Sequence, residues 1–314
     1  MPELMKKLNI LFLGGSKRVS LAERFIRAGI KNNLRVKVFS YELDQNVPFS
    51  SIGEVIIGLK WNDKKIYLDL KKLIILKNIS IVIANVDMAT IVLSKLKKKF
   101  SNLNIISSDE KICQLLFDKM LTHTECKKLE IKSIPLSNNQ FPMYIKLRKG
   151  SASKNNFLIK NKASYNFFLK NNYEKKYIKQ KYINGIEYSV DAYVSKNKDF
   201  IGAVPRIRET IVNGESSKTV VVKDNEITNK TKEIVSKLNL IGPLTIQFIR
   251  KGNNLYFLEI NPRFAGGVIA SIEAGFDIPD IMIKDYLNLR LKKLKKYKEL
   301  IMTRSYRDTF HYAK

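Results

Sequence analysis

Leu255-Tyr-Phe-Leu-Glu-Ile-Asn-Pro-Arg-Phe-Ala-Gly-Gly267 ends an apolar strand with a carboxylate, an amide, a proline and a cation. Residues two apart on a strand point to one face, so Glu259 and Asn261 project together while Leu258 and Ile260 face the other way. Pro262 donates no ladder hydrogen bond and stops the strand, which leaves Arg263 at its end to reach phosphate oxygens. A carboxylate beside an amide oxygen suits Mg²⁺, a hard ion that keeps several waters and usually bridges to substrate phosphates. The pattern predicts a metal-nucleotide site; the plain alternative is a surface hairpin with polar ends.

The preceding segment, Leu244 to Arg250, reads as the partner strand of a β-hairpin with a Gly/Asn turn. An odd loop, with Gly252 to Asn254 as three turn residues, places Gln247 opposite Glu259 on the same face. A loop of two or four residues would put Gln247 on the wrong side.

The chain has 314 residues, enough for two or three structural units, and its 45% hydrophobic content supports ordinary packed cores. Lys+Arg 57 against Asp+Glu 29 gives a net charge of +28, which would favour nucleic acid, anionic membrane or acidic substrates. The lysines are spread along the whole chain among many Asn and Ile and no nucleic-acid motif accompanies them, so compositional bias is favoured over nucleic-acid binding. The runs Lys71-Lys72, Lys97 to Lys99 and Lys292 to Lys298 read as solvated helix faces. Cys113 and Cys126 match neither a CxxC pair nor a zinc spacing, and with only His123 and His311 a histidine triad or multi-histidine metal centre has little to work with. The short apolar run Ile10 to Leu13, ending at Gly14-Gly15, is too short for a signal-peptide core, and no stretch approaches the roughly 20 apolar residues of a membrane span. A cytoplasmic protein is expected.

The first hundred residues alternate strand and helix patterns: strands at Asn9 to Leu13, Val36 to Tyr41, Ile79 to Asn85 and Asn104 to Ser107, helices at Val19 to Ala28 and Met88 to Phe100. That rhythm indicates a parallel α/β unit. Gly14-Gly15-Ser16 either lets backbone amides meet a substrate anion or is a plain tight turn; it lacks the GxGxxG spacing of a dinucleotide site. Arg18, Asn85 and Asp87 fall where strand ends should face a cleft. Asp109 to Leu121 reads as a helix leading to a second unit. There, Lys146 precedes the small-residue loop Gly150-Ser-Ala-Ser153, a combination that suits phosphate binding. Arg206 and Arg208 have the spacing to share a strand face and grip a carboxylate, or else form a solvent-exposed basic strand.

With these segments in order, the chain resembles the ATP-grasp superfamily, most closely the carboxylate-amine ligases similar to half of a carbamoyl-phosphate-synthase large subunit or to a pyrrolysine-pathway ligase. The resemblance runs nearly end to end, through Ile10 to Ser16, Phe117-Asp-Lys119, Phe141 to Lys146, the Gly-Ser-x-Ser loop, Gln180 to Asp191, Pro205-Arg-Ile-Arg208, Gly242 to Gln247, Glu259 to Arg263 and the tail Leu300 to Arg304. It implies an α/β (α+β ATP-grasp) fold: an N-terminal Rossmann-like pre-ATP-grasp domain over 1–108, then a two-lobed ATP-grasp domain over 109–314. The small lid lobe would cover about 130–178 and the large C-terminal lobe about 179–314.

Carried over residue by residue, the resemblance assigns Lys119 and Lys146 to ATP phosphates, with Gly150, Ser151 and Ser153 in the lid loop above them. Gln180, Lys181 and Tyr182 would line the adenine pocket and Glu187 would accept hydrogen bonds from the ribose. Gln247, Glu259 and Asn261 would hold Mg²⁺, and Arg263 would stabilise charge on the transferring phosphoryl group. The departure is a single strong carboxylate among the metal ligands, where many ATP-grasp enzymes use more acidic sets.

The implied reaction is ADP-forming. A small-molecule carboxylate is activated as an acylphosphate and joined to an amine, with Lys146, Arg206, Arg208 and Arg263 as the catalytic cations. The alternatives are an ATP-grasp phosphotransferase, a bicarbonate-activating carboxylase, or an inactive basic binding protein on the same fold. No membrane partner is expected, and a homodimer is the default soluble assembly.

Overall fold

Ile10, Leu11, Phe12 and Leu13 are all buried, as a parallel strand covered on both faces requires. The computed structural model describes residues 5–100, 103–150, 155–172, 174–212, 214–305 and 307–312. The first unit runs β1 (Lys6–Leu13), α1 (Val19–Lys31), β2 (Leu34–Glu42), β3 (Glu54–Ile57), α2 (Ile66–Leu76), β4 (Ile79–Ala84) and α3 (Asp87–Lys99). Its sheet has the order β3-β2-β1-β4 and every pairing is parallel. Leu11 and Leu13 pack against α2 and α3, while Ile10 and Phe12 share a core with α1 and the C-terminal part of the chain. Phe25 of α1 meets Phe264 edge-to-face at 6.0 Å, so the units share one core rather than a wet seam.

Two sequence expectations fail after α3. Asn104 to Ser107 is not a strand: Ile105 and Ile106 are buried, but the segment crosses to the C-terminal unit, where Ser108 Oγ bonds the carbonyl and amide of Ile241 at 3.0 and 2.9 Å. The helix expected over Asp109 to Leu121 is two helices, α4 (Glu110–Phe117) and α5 (Lys119–Lys128). Asp118 breaks them because it takes an extended conformation and caps α5, accepting from the amides of Met120 and Leu121.

The smaller lobe is a three-stranded antiparallel sheet of β5 (Met143–Leu147), β6 (Phe157–Ile159) and β7 (Tyr177–Lys181), with α6 (Lys162–Asn171) on one face. Met143 and Ile145 turn toward Tyr165 and Phe168 of α6, which leaves Tyr144 and Lys146 for the opposite face.

The large lobe comprises β8 (Ile186–Val194), β9 (Phe200–Val212), β10 (Glu215–Val221), α7 (Asn225–Lys237), β11 (Gly242–Lys251), β12 (Asn254–Asn261), α8 (Val268–Glu273), α9 (Ile278–Tyr286) and β13 (Leu300–Thr303). Its antiparallel sheet has the order β12-β11-β8-β9-β10-β13. Tyr188, Val190, Ala192, Leu244, Ile246 and Phe248 share a core with Ile227 and Ile234 of α7, so the alternate residues fall on the other face.

The hairpin turn has two residues, Gly252 and Asn253, not three, and Gly252 takes the positive φ of 53° that such a turn demands. Gln247 nevertheless stands opposite Glu259, because the register shifts between Gln247 and Phe248: Phe248 pairs Phe257, and Leu258 is the extra residue. Without that bulge Glu259 would share the core face with Phe257. The Lys292 to Lys298 run is also not a helix. Leu291, Leu294 and Tyr297 pack on the core from an irregular segment whose Leu294 amide donates to the carbonyl of Ile201 at 2.7 Å.

Candidate active site

A cavity of about 1390 Å³ lies between the first unit, the small lobe and the large sheet. Among its described lining residues ten are Lys or Arg and five are Asp or Glu, a balance that favours anionic ligands. Gln247, Glu259 and Asn261 all line it, brought together by the β11–β12 pairing. The Asn261 amide donates to Glu259 Oε1 at 3.3 Å. Burial pushes the Glu259 carboxyl up, but Lys146, Lys119, the Asn261 amide and Arg263 together outweigh it and hold the group below its ordinary range.

Lys146 comes from the small lobe, 5% exposed, and burial lowers its ammonium from 10.5 to about 8. Glu259 and Glu187 work against that fall, while the like charge of Lys119 deepens it. Lys119 starts α5; its Nζ donates to the carbonyl of Gly150 at 2.8 Å, and its backbone amide to that of Arg148 at 2.9 Å. Asp118, 3% exposed, takes Arg148 in a two-pronged pair at 3.1 and 2.8 Å. One carboxylate thus caps a helix and anchors the strand end from which the small-residue loop departs. Ser151 and Ser153 lie outside the described residues.

Gln180, Lys181 and Tyr182 line the same cavity at the end of β7. Gln180 is buried opposite Tyr144, whereas Lys181 and Tyr182 are exposed. Glu187 lines the cavity too, and its carboxylate accepts from Arg208 Nη1 at 3.2 Å.

Arg206 and Arg208, expected to grip a carboxylate together, both line the cavity but are held by carboxylates of the chain itself. Both do lie on one face of β9, but each guanidinium is already engaged. Arg206, 1% exposed, is bound through Nε and Nη2 to Asp191 at 2.7 and 3.2 Å, and Asp191 also accepts from Ser271 Oγ at 2.5 Å. Arg208 donates to Glu187, Ser216 and the carbonyl of Gly214. A two-pronged ion pair this deep is a structural tie, and breaking it strands a charge. Arg206→Met should lower unfolding free energy by about 3–5 kcal/mol in urea titration; an unchanged midpoint would contradict this.

At the first unit, the amide of Gly15 meets Ser40 Oγ at 3.2 Å, and Ser40 Oγ donates to Glu42 at 2.5 Å. Burial pushes the Glu42 carboxyl up, and Ser40 with the backbone of Ser16 and Gly15 works against that rise. The turn after β1 is thus tied through Ser40 to an internal carboxylate. Arg263 Nε pairs with Asp87 Oδ1 at 2.5 Å, and Arg18 and Arg304 both pair with Glu215. Asn85, buried beside them, also lines the cavity.

The fold is similar to that of solved structures. N5-carboxyaminoimidazole synthetase of Staphylococcus aureus, solved with ADP, matches with a TM-score of 0.74 over 96% of this chain and 83% of that one, at 20% identity. Residues 174–308 match the family described as ATP-grasp in the biosynthetic pathway with Ter operon. The fold is that of the ATP-grasp proteins. By sequence, D-alanine–D-alanine ligase of Petrotoga mobilis is 28% identical over 180 residues, and the carbamoyl phosphate synthase large chain of Clostridium perfringens is 29% identical over 142. The matched stretches cover 49% and 41% of this chain, and 59% and 13% of those relatives.

Within the ATP-grasp fold the donor set fits a hard cation that is only partly held by protein. Among the described residues no group of three His, Cys, Asp or Glu could hold a metal. Gln247, Glu259 and Asn261 offer one carboxylate and two amide oxygens on one sheet face, a set completed by waters and phosphate oxygens rather than by more protein. Also among the described residues, no helix is long and apolar enough to cross a membrane.

Sequence reasoning gave no role to Asp191 and Asp118, which lie in quoted segments, and missed Glu215. Asp118 carried a readable signal, a helix-capping residue inside a helical run. Asp191 and Glu215 carried none, because their partners are fixed by strand pairing and by contacts between units.

Proposed function

We propose that the protein is an ADP-forming, ATP- and Mg²⁺-dependent ligase that activates a small-molecule carboxylate and joins it to an amine. The observation that carries this reading is the convergence of Glu259, Asn261 and Gln247 from the large lobe with Lys146 and Lys119 on one cavity. Mg²⁺ held by the first three would neutralise phosphate oxygens. Lys146 and Lys119 would position the triphosphate by charge and hydrogen bonding, and Gln180 to Tyr182 with Glu187 would hold adenine and ribose.

A carboxylate is a poor electrophile, since its own charge repels nucleophiles. In the first step its oxygen forms a bond to the γ-phosphorus as the bond to ADP breaks. The amine nitrogen then bonds the acyl carbon as phosphate departs and a proton is released. Phosphoryl transfer of this kind needs mainly alignment and charge neutralisation, which Arg263, oriented by Asp87, supplies at the strand end. The kinship in sequence with D-alanine–D-alanine ligase supports the reading.

With MgATP and a panel of amino, hydroxy and sugar acids plus amines, ADP and phosphate should appear only when an acid and an amine are both present. Release of AMP and pyrophosphate would contradict the acylphosphate route.

A further inference from the structure

One charged cluster lining the cavity lies outside the residues assigned above to nucleotide and metal. Arg18 precedes α1, Glu215 opens β10 and Arg304 follows β13. Arg18 Nη2 bonds Glu215 Oε1 at 3.1 Å, Arg304 Nη1 bonds Glu215 Oε2 at 2.6 Å, and Arg304 Nη2 donates to the carbonyl of Gly266. A Cβ on Gly266 would sit 2.6 Å from the Glu215 carboxyl carbon, so the glycine is what lets the carboxylate seat there.

Two guanidiniums share this one carboxylate. Arg263 lies near enough to oppose the charge of Arg18, and is itself balanced by Asp87. Arg18 has Glu215 as its one side-chain partner among the described residues. The cluster therefore keeps surplus positive charge, with Lys17 on the same wall.

The fold places this surplus where a parallel sheet receives ligands. The order β3-β2-β1-β4 reverses direction at β1, and crevices outside the carboxyl ends of strands at such reversals are the usual binding sites. Residues Lys17 to Leu21 line the cavity there, and α1 starts with no side-chain cap and no acidic residue in its first turn. The positive end of a helix thus adds to the arginines. Because Ser40 Oγ already takes the turn amide of Gly15, an arriving anion meets Arg18 rather than that amide.

We infer that Arg18, Arg304 and the first turn of α1 form an anion subsite for a second acidic group on the substrate, with Glu215 holding its place until substrate arrives. That group is a phosphate ester or a second carboxylate. The inference rests on the ligase reading only for the position of the reacting carboxylate.

The test fills the nucleotide site of the full chain with Mg²⁺ and a non-hydrolysable ATP analogue, then titrates glycerol 3-phosphate or glutarate while following the melting temperature. A saturable rise is expected with one of the two, which tells a phosphate ester from a second carboxylate. Arg18→Met should raise the half-saturating concentration about tenfold or more with analogue affinity unchanged, and Arg18→Lys, which keeps charge but not the fork, should fall between. Glu215→Gln, which removes the competing carboxylate, should lower it by about tenfold. No saturable rise in either wild type or the Glu215→Gln protein, or a midpoint that the Arg18 variants leave in place, overturns the subsite. Failure of wild type to bind the analogue would strike the nucleotide reading instead, and the probe titration would still judge the subsite.

Discussion

Glu259→Ala should reduce Mg²⁺-dependent ATP turnover by about 10²- to 10³-fold or more, the loss expected when a site forfeits a principal electrostatic stabiliser. Glu259 is the carboxylate that strand pairing sets beside Gln247 and Asn261, so its removal leaves two neutral amide donors at that point for a divalent ion. It is also the anion that offsets the buried ammonium of Lys146, and Lys146 should become still easier to deprotonate without it. The melting temperature should fall by only a few degrees, since burial disfavours the charged carboxyl and offsets part of what its basic neighbours contribute. Turnover and Mg²⁺-dependent nucleotide affinity, measured together with the melting curve, separate the two effects. A variant that keeps parental turnover would remove the metal site from Glu259.

Lys146→Met should do the opposite to stability and the same to function. At 5% exposure the ammonium is disfavoured by burial, and its fall from 10.5 to about 8 corresponds to about 3 kcal/mol against the charged form. Because the folded value lies below the unfolded one, the unfolded chain holds the proton more tightly between about pH 8 and 10.5, and stability of the parent rises with pH across that window. Below pH 8 the penalty is fully present. At pH 7 the Met variant should therefore be more stable, by up to about 3 kcal/mol less what Glu259 loses as a partner, and the gain should shrink as pH rises past 8. Nucleotide affinity should collapse in the variant, and in the parent it should weaken above pH 8 as the ammonium empties. A variant that is less stable at pH 7, yet binds nucleotide normally, would show that Lys146 is a structural ion-pair partner only.

Much of this was legible from strand periodicity. Glu259 and Asn261 share a face because side chains alternate, and Lys146 opposes Met143 and Ile145 for the same reason. The pairing of Gln247 with Glu259 came out as expected by a different route. A two-residue turn plus one bulged residue restores the parity that a three-residue turn would have set, and a bulge leaves no mark in an alternating sequence. The engagement of Arg206 could not be read, since Asp191 lies fifteen residues away on β8 and meets it only once the sheet is paired. The segment from Leu291 to Tyr297 misled for a related reason. Its apolar residues recur every third position, as on a helix, yet they anchor an irregular strap whose backbone bonds the edge of β9. Asp118 was visible as a residue and invisible as a break, because the helical spacing continues across it.

The most direct trial of the central claim is a diffraction structure of the full chain with Mn²⁺ and a non-hydrolysable ATP analogue, with the metal located by its anomalous signal. The ion should lie about 2.0–2.2 Å from a Glu259 carboxylate oxygen and bridge to phosphate oxygens within reach of Lys146. Metal and triphosphate bound elsewhere, with Glu259 still paired to Asn261 and no phosphate near Lys146, would contradict it.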